Sequence, residues 1–403
     1  MTANRNTNDE PHVEKVSMDL IPYGRQMISN DDIQAVVDVL RSSHLTQGEA
    51  VPAFESSMAK RVESNFAVAT NSATSALHIA CLGLGLGPGD ALWTSPVSFV
   101  ASANCGLYCG ATVDFVDVDS VTGRLCTGAL QKKLEESEIN GTLPKIVIPV
   151  HLGGNSCDMI GIKKLADRYG FKIIEDASHA VGATYENQPV GCCRYSDAVV
   201  FSFHPVKIIT SGEGGMVTTN DPDLAQMLQM LRSHGITRDS TRLLSHAPGN
   251  WYYEQQLLGL NYRLSDIHAA LGNSQLDRLD QFIEQRRRLV RVYNAHLQIL
   301  PIAIPDENEL NTSSWHLYPV RILEDSPTTR RELYDALSTK KIGVNVHYIP
   351  IYRQPFFAQL KKKPTDFPGS EIYYESALTI PLHPGLSQET IGHICSEIGK
   401  ALG

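Results

Sequence analysis

The segment 201-FSFHPVKIITSGEGG-215 places one lysine, Lys207, between an apolar run and a glycine-rich turn. The residues just before it, 197-DAVVFSFH-204, are rich in valine and phenylalanine, which is typical of a buried strand. The glycines that follow permit a positive φ or a close approach of the backbone to a ligand. Because lysine is rarely buried without a partner, Lys207 is either a surface residue at a strand end or a residue held for Schiff-base chemistry.

Strand-like runs alternate with helical patterns on both sides of this segment, from about residue 66 to residue 220. The runs are FAVATNS, ALWTSPVS, TVDFVDVD, KIVIPVH, FKIIEDAS, DAVVFSFH and GMVTTN. This alternation predicts an α/β architecture with a largely parallel sheet. In such sheets ligands bind outside the carboxyl ends of the strands, where Lys207 is expected.

The composition of the 403-residue chain narrows the class of protein. Its formal net charge of -9 argues against a nucleic-acid partner, since phosphate contacts require a basic face. Residues 1–15 lack an apolar signal core, and no apolar run reaches the length of a membrane span. We therefore expect a cytoplasmic protein with no membrane partner.

The length and pattern predict two domains after a flexible arm. Residues 1–20 form the arm, 21–275 the large domain and 276–403 a smaller α+β domain. Helical patterns over 264–297 link the two domains. Near the N-terminus, 29-SNDDIQAVVDVLRSS-43 predicts a capped amphipathic helix whose apolar residues recur at helical spacing.

Acidic and histidine residues follow one of the predicted strands, in 172-KIIEDASHA-180. Asp176 at the carboxyl edge of a parallel sheet would face the ligand crevice, and His179 can return to the same site. Alternatively, Asp176 caps the next segment. Glu175, Asp176 and His179 would also suit a metal, but no further ligand stands at a suitable spacing and the eight cysteines contain no CxxC pair. We expect no metal site.

A second strand is followed by 71-NSATSALHIA-80, which opens a helix with small hydroxyl residues. Ser72 and Thr74 either cap that helix or mark exposed N–H groups that bind a phosphate. The stretch 95-SPVSFVAS-102 adds an aromatic ring. A lysine, a carboxylate, a phosphate cradle and a ring together meet the requirements of pyridoxal phosphate.

Several motifs, in order along the chain, resemble the DegT/DnrJ/EryC1/StrS family of sugar-nucleotide aminotransferases. They are LTQG, NSATSALH, EDASHAVG, FSFHPVKIITSGEGG, GLNYRLSDIHAALG and VHYIPIY. The resemblance runs from about residue 22 to the C-terminus. It implies a fold-type-I pyridoxal-phosphate transferase, with a mostly parallel seven-stranded sheet in the large domain and a smaller C-terminal domain.

The same resemblance implies roles for individual residues. Lys207 forms the Schiff base, Asp176 pairs with the pyridine nitrogen, and His179 lies near the phenolic oxygen of the cofactor. Phe99 stacks on the ring. The residues implied at the phosphate are Ala73, Thr74 and Ser202 of one chain and either Asn261 or Arg263 of its partner in a homodimer.

The motifs LRSHGI and VHYIPIYRQPFF are most similar to the pseudaminic acid branch of this family. That similarity implies transfer of an amino group from L-glutamate to C4 of a UDP-linked 2-acetamido-2,6-dideoxy-4-hexulose, with Tyr23, His347 and Tyr348 lining the sugar pocket. Two alternatives stay open. One is another keto sugar, such as a perosamine or 4-amino-arabinose precursor or a 3-keto sugar, and the other is a pyridoxal-phosphate-binding regulatory protein without turnover.

Overall fold

The computed structural model describes residues 20–306, 309 and 312–403. Apart from Leu20, the arm predicted for residues 1–20 lies outside the described residues. The helices are α1 Asn30–Arg41, α2 Ala50–Arg61, α3 Ala73–Gly83, α4 Ala101–Tyr108, α5 Thr127–Asn140, α6 Met159–Tyr169, α7 Pro222–Leu231, α8 Asp266–Leu276, α9 Leu279–Leu297, α10 Arg330–Thr339, α11 Pro368–Ser376 and α12 Gln388–Leu402. The strands are β1 Phe66–Thr70, β2 Ala91–Thr94, β3 Thr112–Phe115, β4 Ile146–Ile148, β5 Lys172–Asp176, β6 Thr184–Tyr185, β7 Gln188–Pro189, β8 Ala198–Ser202, β9 Gly215–Thr219, β10 Ile236–Thr237, β11 Glu254–Gln255, β12 Ile302–Ala303, β13 Tyr318–Ile322 and β14 Ala377–Ile380.

A seven-stranded sheet in the order β1-β9-β8-β5-β4-β2-β3 forms the centre of the molecule. Its strands are the seven runs identified in the sequence, so the predicted mostly parallel sheet is confirmed. Among the described strands of this sheet, β9 is antiparallel to both β1 and β8, and the other neighbours are parallel. The carboxyl ends of β5 and β8 consequently lie side by side, as the placement of Asp176 and Lys207 requires.

Strand β8 is apolar along its length because helices cover both faces of the sheet. Ala198 and Val200 pack in the hydrophobic cluster on one face. Val199 and Phe201 pack in the cluster on the other. Because side chains alternate between faces in a strand, an uninterrupted apolar run is what a doubly covered strand requires.

The C-terminal part of the chain has its own hydrophobic cluster, to which α9, α10, α12, β13 and β14 contribute. Strands β12, β13 and β14 form a three-stranded antiparallel sheet there. The helical pattern over 264–297 is two helices, α8 and α9, and the domain boundary placed at residue 275 stays a prediction. Across the described ranges, no helix combines the length and the apolar character needed to cross a bilayer.

The apolar stripe of α1 is partly exposed to solvent. Ile33 and Leu40 of this stripe are each 54% exposed. The buried residue of the helix is Asp32, whose carboxylate accepts hydrogen bonds from Ser274 and Gln275 of α8. The predicted helix is present and Ser29 caps it, but a packed amphipathic helix normally turns its apolar stripe towards the core. This stripe is therefore available to another molecule.

Candidate active site

A cavity of about 720 Å³ lies at the carboxyl ends of β5 and β8, next to the start of α3. Its size is within the ~300–1,000 Å³ range of small-molecule sites. The predicted site residues that line it are Tyr23, Ala73, Thr74, Phe99, Asp176, His179, Ser202, Lys207, His347 and Tyr348. Asn261 and Arg263 do not line this cavity, and the Arg263 guanidinium donates a hydrogen bond to Ser233 Oγ at 3.1 Å.

Lys207 lies in the loop that connects β8 to β9 and is half-buried. Its backbone N–H donates to the carbonyl of His204 at 2.9 Å, which closes a turn directly after the strand. Burial lowers the pKa of the Lys207 amine from its usual 10.5 to about 8, although the negative charge of Asp176 acts in the opposite direction. A larger share of the neutral amine is therefore available near neutral pH, as a nucleophile or a base requires.

Glycines in the turn after Lys207 bring β9 against the start of α3. Gly212 has a φ of +81°, which favours glycine. A Cβ atom on Gly215 would lie 2.4 Å from the carbonyl carbon of Ser72 and 2.5 Å from the backbone nitrogen of Ala73. Only glycine allows this contact, so the turn holds the first residues of α3 beside the loop that carries Lys207.

The start of α3 offers backbone N–H groups to the cavity. Ser72 caps the helix, and its side chain accepts a hydrogen bond from the N–H of Ser75 at 3.1 Å. Ala73 and Thr74 occupy the first two helical positions, whose N–H groups have no carbonyl partner within a helix. The cap and the anion cradle are thus compatible, because Ser72 provides the cap and the next two residues line the cavity.

The carboxylate of Asp176 is held from two sides at the end of β5. Ser102 Oγ donates a hydrogen bond to Oδ2 at 2.7 Å. The backbone N–H of Ser178 donates to Oδ1 at 3.1 Å. The side chain lines the cavity together with Lys207 and is 5% exposed. Its remaining lone pairs can therefore accept a hydrogen bond from a bound molecule.

Glu175, one residue earlier, faces the other side of the sheet. Its carboxylate lies 2.6 Å from His151 Nε2 and accepts a hydrogen bond from Ser196 Oγ at 2.5 Å. Alternation along β5 explains the separation, since neighbouring side chains point to opposite faces. Glu175 is absent from the cavity wall that Asp176 and His179 share.

His179 and Tyr348 form a hydrogen-bonded pair in the cavity. The N–H of Gly153 donates to His179 Nδ1 at 3.3 Å, so Nδ1 is unprotonated. Nε2 then carries the hydrogen and donates to the Tyr348 hydroxyl oxygen at 3.2 Å. Burial, reinforced by the charge of Lys207, holds the pKa of His179 well below its usual value. Burial also raises the pKa of Tyr348, so both groups are neutral near pH 7.

A second polar wall surrounds His347. The side-chain oxygen of Asn345 accepts from the N–H of Val346 at 2.9 Å, which turns the amide nitrogen towards His347 Nε2 at 3.3 Å. His347 Nδ1 therefore carries the hydrogen and donates to Thr379 Oγ1 at 2.9 Å. Burial and the charge of Lys207 lower the pKa of His347 to about 3, which keeps the ring neutral.

Several residues of the site were assigned no role from the sequence. The cavity wall also includes Ser98, His204, Glu213 and Asn345, and Ser102 bonds to Asp176 from behind. The spacing of Ser98 and Ser102, four positions apart around Phe99, is a signal that a helix-face argument could have used. Glu213 is exposed at the rim of the cavity and its carbonyl accepts from Ser211.

Solved structures of sugar aminotransferases share this architecture. Helicobacter pylori PseC, an aminotransferase involved in the biosynthesis of pseudoaminic acid, superposes with a TM-score of 0.86 and 30% identity over 95% of this chain and 99% of that one. The PLP form of the putative sugar aminotransferase Spr1654 from Streptococcus pneumoniae gives 0.84 and 27% identity, with 95% and 98% covered. The fold-type-I architecture implied by the sequence is confirmed.

Curated sequences extend the comparison. The spore coat polysaccharide biosynthesis protein SpsC of Bacillus subtilis is 36% identical over 94% of this chain and 96% of its own length. The UDP-4-amino-4,6-dideoxy-N-acetyl-beta-L-altrosamine transaminase of Campylobacter jejuni is 36% identical over 90% of this chain and 93% of its own. The model of the DegT/DnrJ/EryC1/StrS aminotransferase family matches residues 26–399. Because that match includes every residue of the cavity except Tyr23, the chain belongs to this family and is a pyridoxal-phosphate-dependent sugar aminotransferase.

Proposed function

We propose that the protein transfers an amino group from L-glutamate to C4 of a UDP-linked 2-acetamido-2,6-dideoxy-4-hexulose. The observation that carries the proposal is the 36% identity, over 90% of the chain, to a transaminase named for an N-acetylated 4-amino-4,6-dideoxy sugar linked to UDP. The structural neighbour from pseudoaminic acid biosynthesis supports the same class of substrate.

The residues of the cavity fit pyridoxal phosphate. Lys207 would bind the cofactor through its partly neutral amine, and Asp176 would accept from the pyridine nitrogen. The N–H groups at the start of α3 and the Ser202 hydroxyl would hold the phosphate. Phe99 is 60% exposed at the cavity, so its ring face is free to stack.

The cofactor, when bound, supplies an electron sink for the carbon that gains or loses the amino group. Lys207 then acts as the general acid and base at that carbon, because its pKa near 8 lets it both accept and return a proton near neutral pH. Asp176 keeps the pyridine nitrogen charged, since a nearby carboxylate favours the protonated form.

The far wall of the cavity supports a neutral, polar sugar ring. Tyr23, His347 and Tyr348 line it, and burial raises the pKa of both phenols and lowers that of the imidazole. Neutral hydroxyl and imidazole groups form hydrogen bonds with sugar hydroxyl and amide groups without placing a charge opposite them. This wall therefore suits a sugar ring that bears an acetamido group.

The substrate assignment is tested by kinetics with a panel of UDP- and dTDP-linked keto sugars and L-glutamate. We expect kcat/KM for the 2-acetamido sugar to exceed that of its 2-hydroxy analogue by at least about tenfold, since a site that pairs polar groups discriminates against analogues that lack them. His347→Ala and Tyr348→Phe should reduce that ratio and leave the glutamate half-reaction nearly unchanged. Tyr185→Phe, which removes a hydroxyl bonded to Asp158 outside the cavity, is the matched control.

Equal efficiency on both sugars, or preference for a dTDP-linked 3-keto sugar, would reject this substrate. A different sugar is a reasonable second candidate because SpsC, named for spore coat polysaccharide biosynthesis, shares the same identity over slightly more of the chain. Turnover of any keto sugar in the panel would exclude a purely regulatory protein.

We also propose a homodimer with shared active sites. Besides Ile33 and Leu40 of α1, the residues Leu20, Met27 and Ile28 that precede this helix are 59%, 38% and 44% exposed. Apolar side chains that become buried together are what an interface between two proteins requires. Asn261 and Arg263 do not line their own cavity, which suits residues that serve the partner's site.

Subunit mixing tests the shared site. Lys207→Ala chains and Asn261→Ala/Arg263→Ala chains should each be inactive alone. An equimolar mixture should then regain about a quarter of the native activity, because about half of its dimers are mixed and each mixed dimer has one of its two sites intact. Capture of an untagged variant by a tagged copy of the other verifies that the two exchange subunits. A fully active monomer, or no recovery in verified mixed dimers, would contradict the proposal.

A further inference from the structure

Two serines in one turn connect the cavity wall to Asp176. Ser98 Oγ and Ser102 Oγ are 2.8 Å apart, and Ser102 Oγ is 2.7 Å from Asp176 Oδ2. All three residues are at most 5% exposed. Ser102 is at the second position of α4, and Ser98 precedes the helix by three residues. The three side chains therefore form a buried polar chain that ends at the carboxylate.

The direction of the hydrogen bonds in this chain follows from chemistry. An ionised carboxylate only accepts, so Ser102 must give its hydroxyl hydrogen to Asp176. Ser102 then has only lone pairs left for Ser98, and Ser98 must donate to Ser102. A donor that itself accepts a hydrogen bond is polarised and donates more strongly. Ser98 thus strengthens the bond from Ser102 to Asp176.

The chain also restricts the geometry of the carboxylate. With Ser102 on Oδ2 and the Ser178 N–H on Oδ1, rotation of the carboxylate would break at least one hydrogen bond. A group held on both oxygens presents its remaining lone pairs in one orientation. Such fixed orientation of a reacting group by its neighbours is the usual requirement of an efficient site.

We propose that Ser102, supported by Ser98, is a positioning residue that orients Asp176 towards the pyridine nitrogen of the cofactor. The inference rests on the proposed role of Asp176. Phe99 lies between the two serines in the same turn, so one short segment determines both the position of the Phe99 ring and the orientation of the Asp176 carboxylate. Deletion of either hydroxyl loosens the carboxylate without removing a group that touches the cofactor nitrogen.

The test uses the spectrum and the affinity of the bound cofactor, neither of which depends on a sugar substrate. Ser102→Ala should weaken pyridoxal-phosphate binding about tenfold, as loss of a hydrogen bond to a charged group predicts. The absorption spectrum and its pH dependence should change in the same direction as they do in the Asp176→Asn variant, but by a smaller amount. Ser98→Ala should show a smaller change of the same kind, and Ser102→Thr should restore the native behaviour.

A matched control exists elsewhere in the fold. Ser370 Oγ donates to Asp117 Oδ1 at 2.6 Å and is also fully buried, but neither residue lines the cavity. Ser370→Ala should lower thermal stability and leave the cofactor spectrum unchanged. Thermal unfolding of each cofactor-free variant shows whether a loss of binding reflects a loss of folding.

A double-variant cycle separates this inference from the proposed function. Once Asp176→Asn is in place, adding Ser102→Ala should change the spectrum no further, because Ser102 acts through the carboxylate. If Asp176→Asn alters the spectrum but folded Ser102→Ala does not, the inference about the serines is wrong and the role of Asp176 stands. If Asp176→Asn itself leaves the spectrum native, the proposed role of Asp176 is wrong, and the inference about the serines is wrong with it.

Discussion

Replacement of Lys207 by alanine is expected to abolish transamination and to leave the protein folded. The variant loses both the covalent anchor of the cofactor and the group that moves the proton at the reacting carbon. A general acid–base catalyst alone contributes about 10²–10⁴-fold, so we expect kcat to fall by about 10⁴-fold or more. Conversion of L-glutamate to 2-oxoglutarate in a single half-reaction provides the measurement, because it requires no keto sugar.

Borohydride reduction and mass spectrometry identify the lysine directly. The native protein should carry a reduced pyridoxyl adduct on Lys207, and Lys164→Ala, which changes an exposed lysine of α6, should behave as the native protein does. Adduct formation by the cofactor-free protein should increase with pH around 8 rather than 10.5, because the neutral amine reacts and burial lowers its pKa. An adduct on another lysine would disprove the assignment.

Asp176→Asn is expected to lower kcat by about 10²–10³-fold, the usual cost of removing one preorganised electrostatic group. The amide keeps the volume of the side chain but has no charge to favour a protonated pyridine nitrogen. The amide nitrogen takes the place of one carboxylate oxygen. It is a donor, and it faces either the hydroxyl of Ser102 or the N–H of Ser178, both of which donate to the native carboxylate. We therefore expect a modest loss of thermal stability beside the large kinetic loss.

Glu175→Gln is the matched control for this measurement. It lies on the same strand, is equally buried and has hydrogen-bonded partners, but it faces away from the cavity. The control should affect stability more than kcat, whereas Asp176→Asn should do the reverse. Near-native kinetics in Asp176→Asn would instead make Asp176 a cap for the N–H of Ser178.

The sheet and the position of Lys207 and Asp176 at its edge could be predicted from local patterns. Seven apolar runs became the seven strands because a strand covered on both faces needs apolar residues at consecutive positions. Lys207 and Asp176 followed two of these runs, and parallel strands place their carboxyl ends at one edge. The polar residues of the sugar wall came from a family resemblance, since nothing in their local pattern reports a pocket.

The supporting residues depend on contacts between distant parts of the chain. Ser102 and Asp176 are 74 positions apart and meet only because the fold brings the first turn of α4 near the end of β5. Gly215 must be glycine because the start of α3 lies against it, which no spacing within its own turn reveals. The neutral state of His179 and His347 likewise arises from burial and from the nearby Lys207.

The sequence alone therefore determined the α/β class and the order of the strands along the chain, because these depend on periodicity over a few neighbouring residues. It also placed Lys207 and Asp176 at the ends of two strands, whereas their roles stay predictions from the family resemblance. Tertiary structure decided which groups orient the carboxylate of Asp176, which side of β5 Glu175 faces, and that the apolar stripe of α1 is partly exposed. Helical periodicity identifies an apolar face but not the surface that covers it. That surface is set by packing, which here buries Asp32 against α8 and leaves Ile33 and Leu40 exposed.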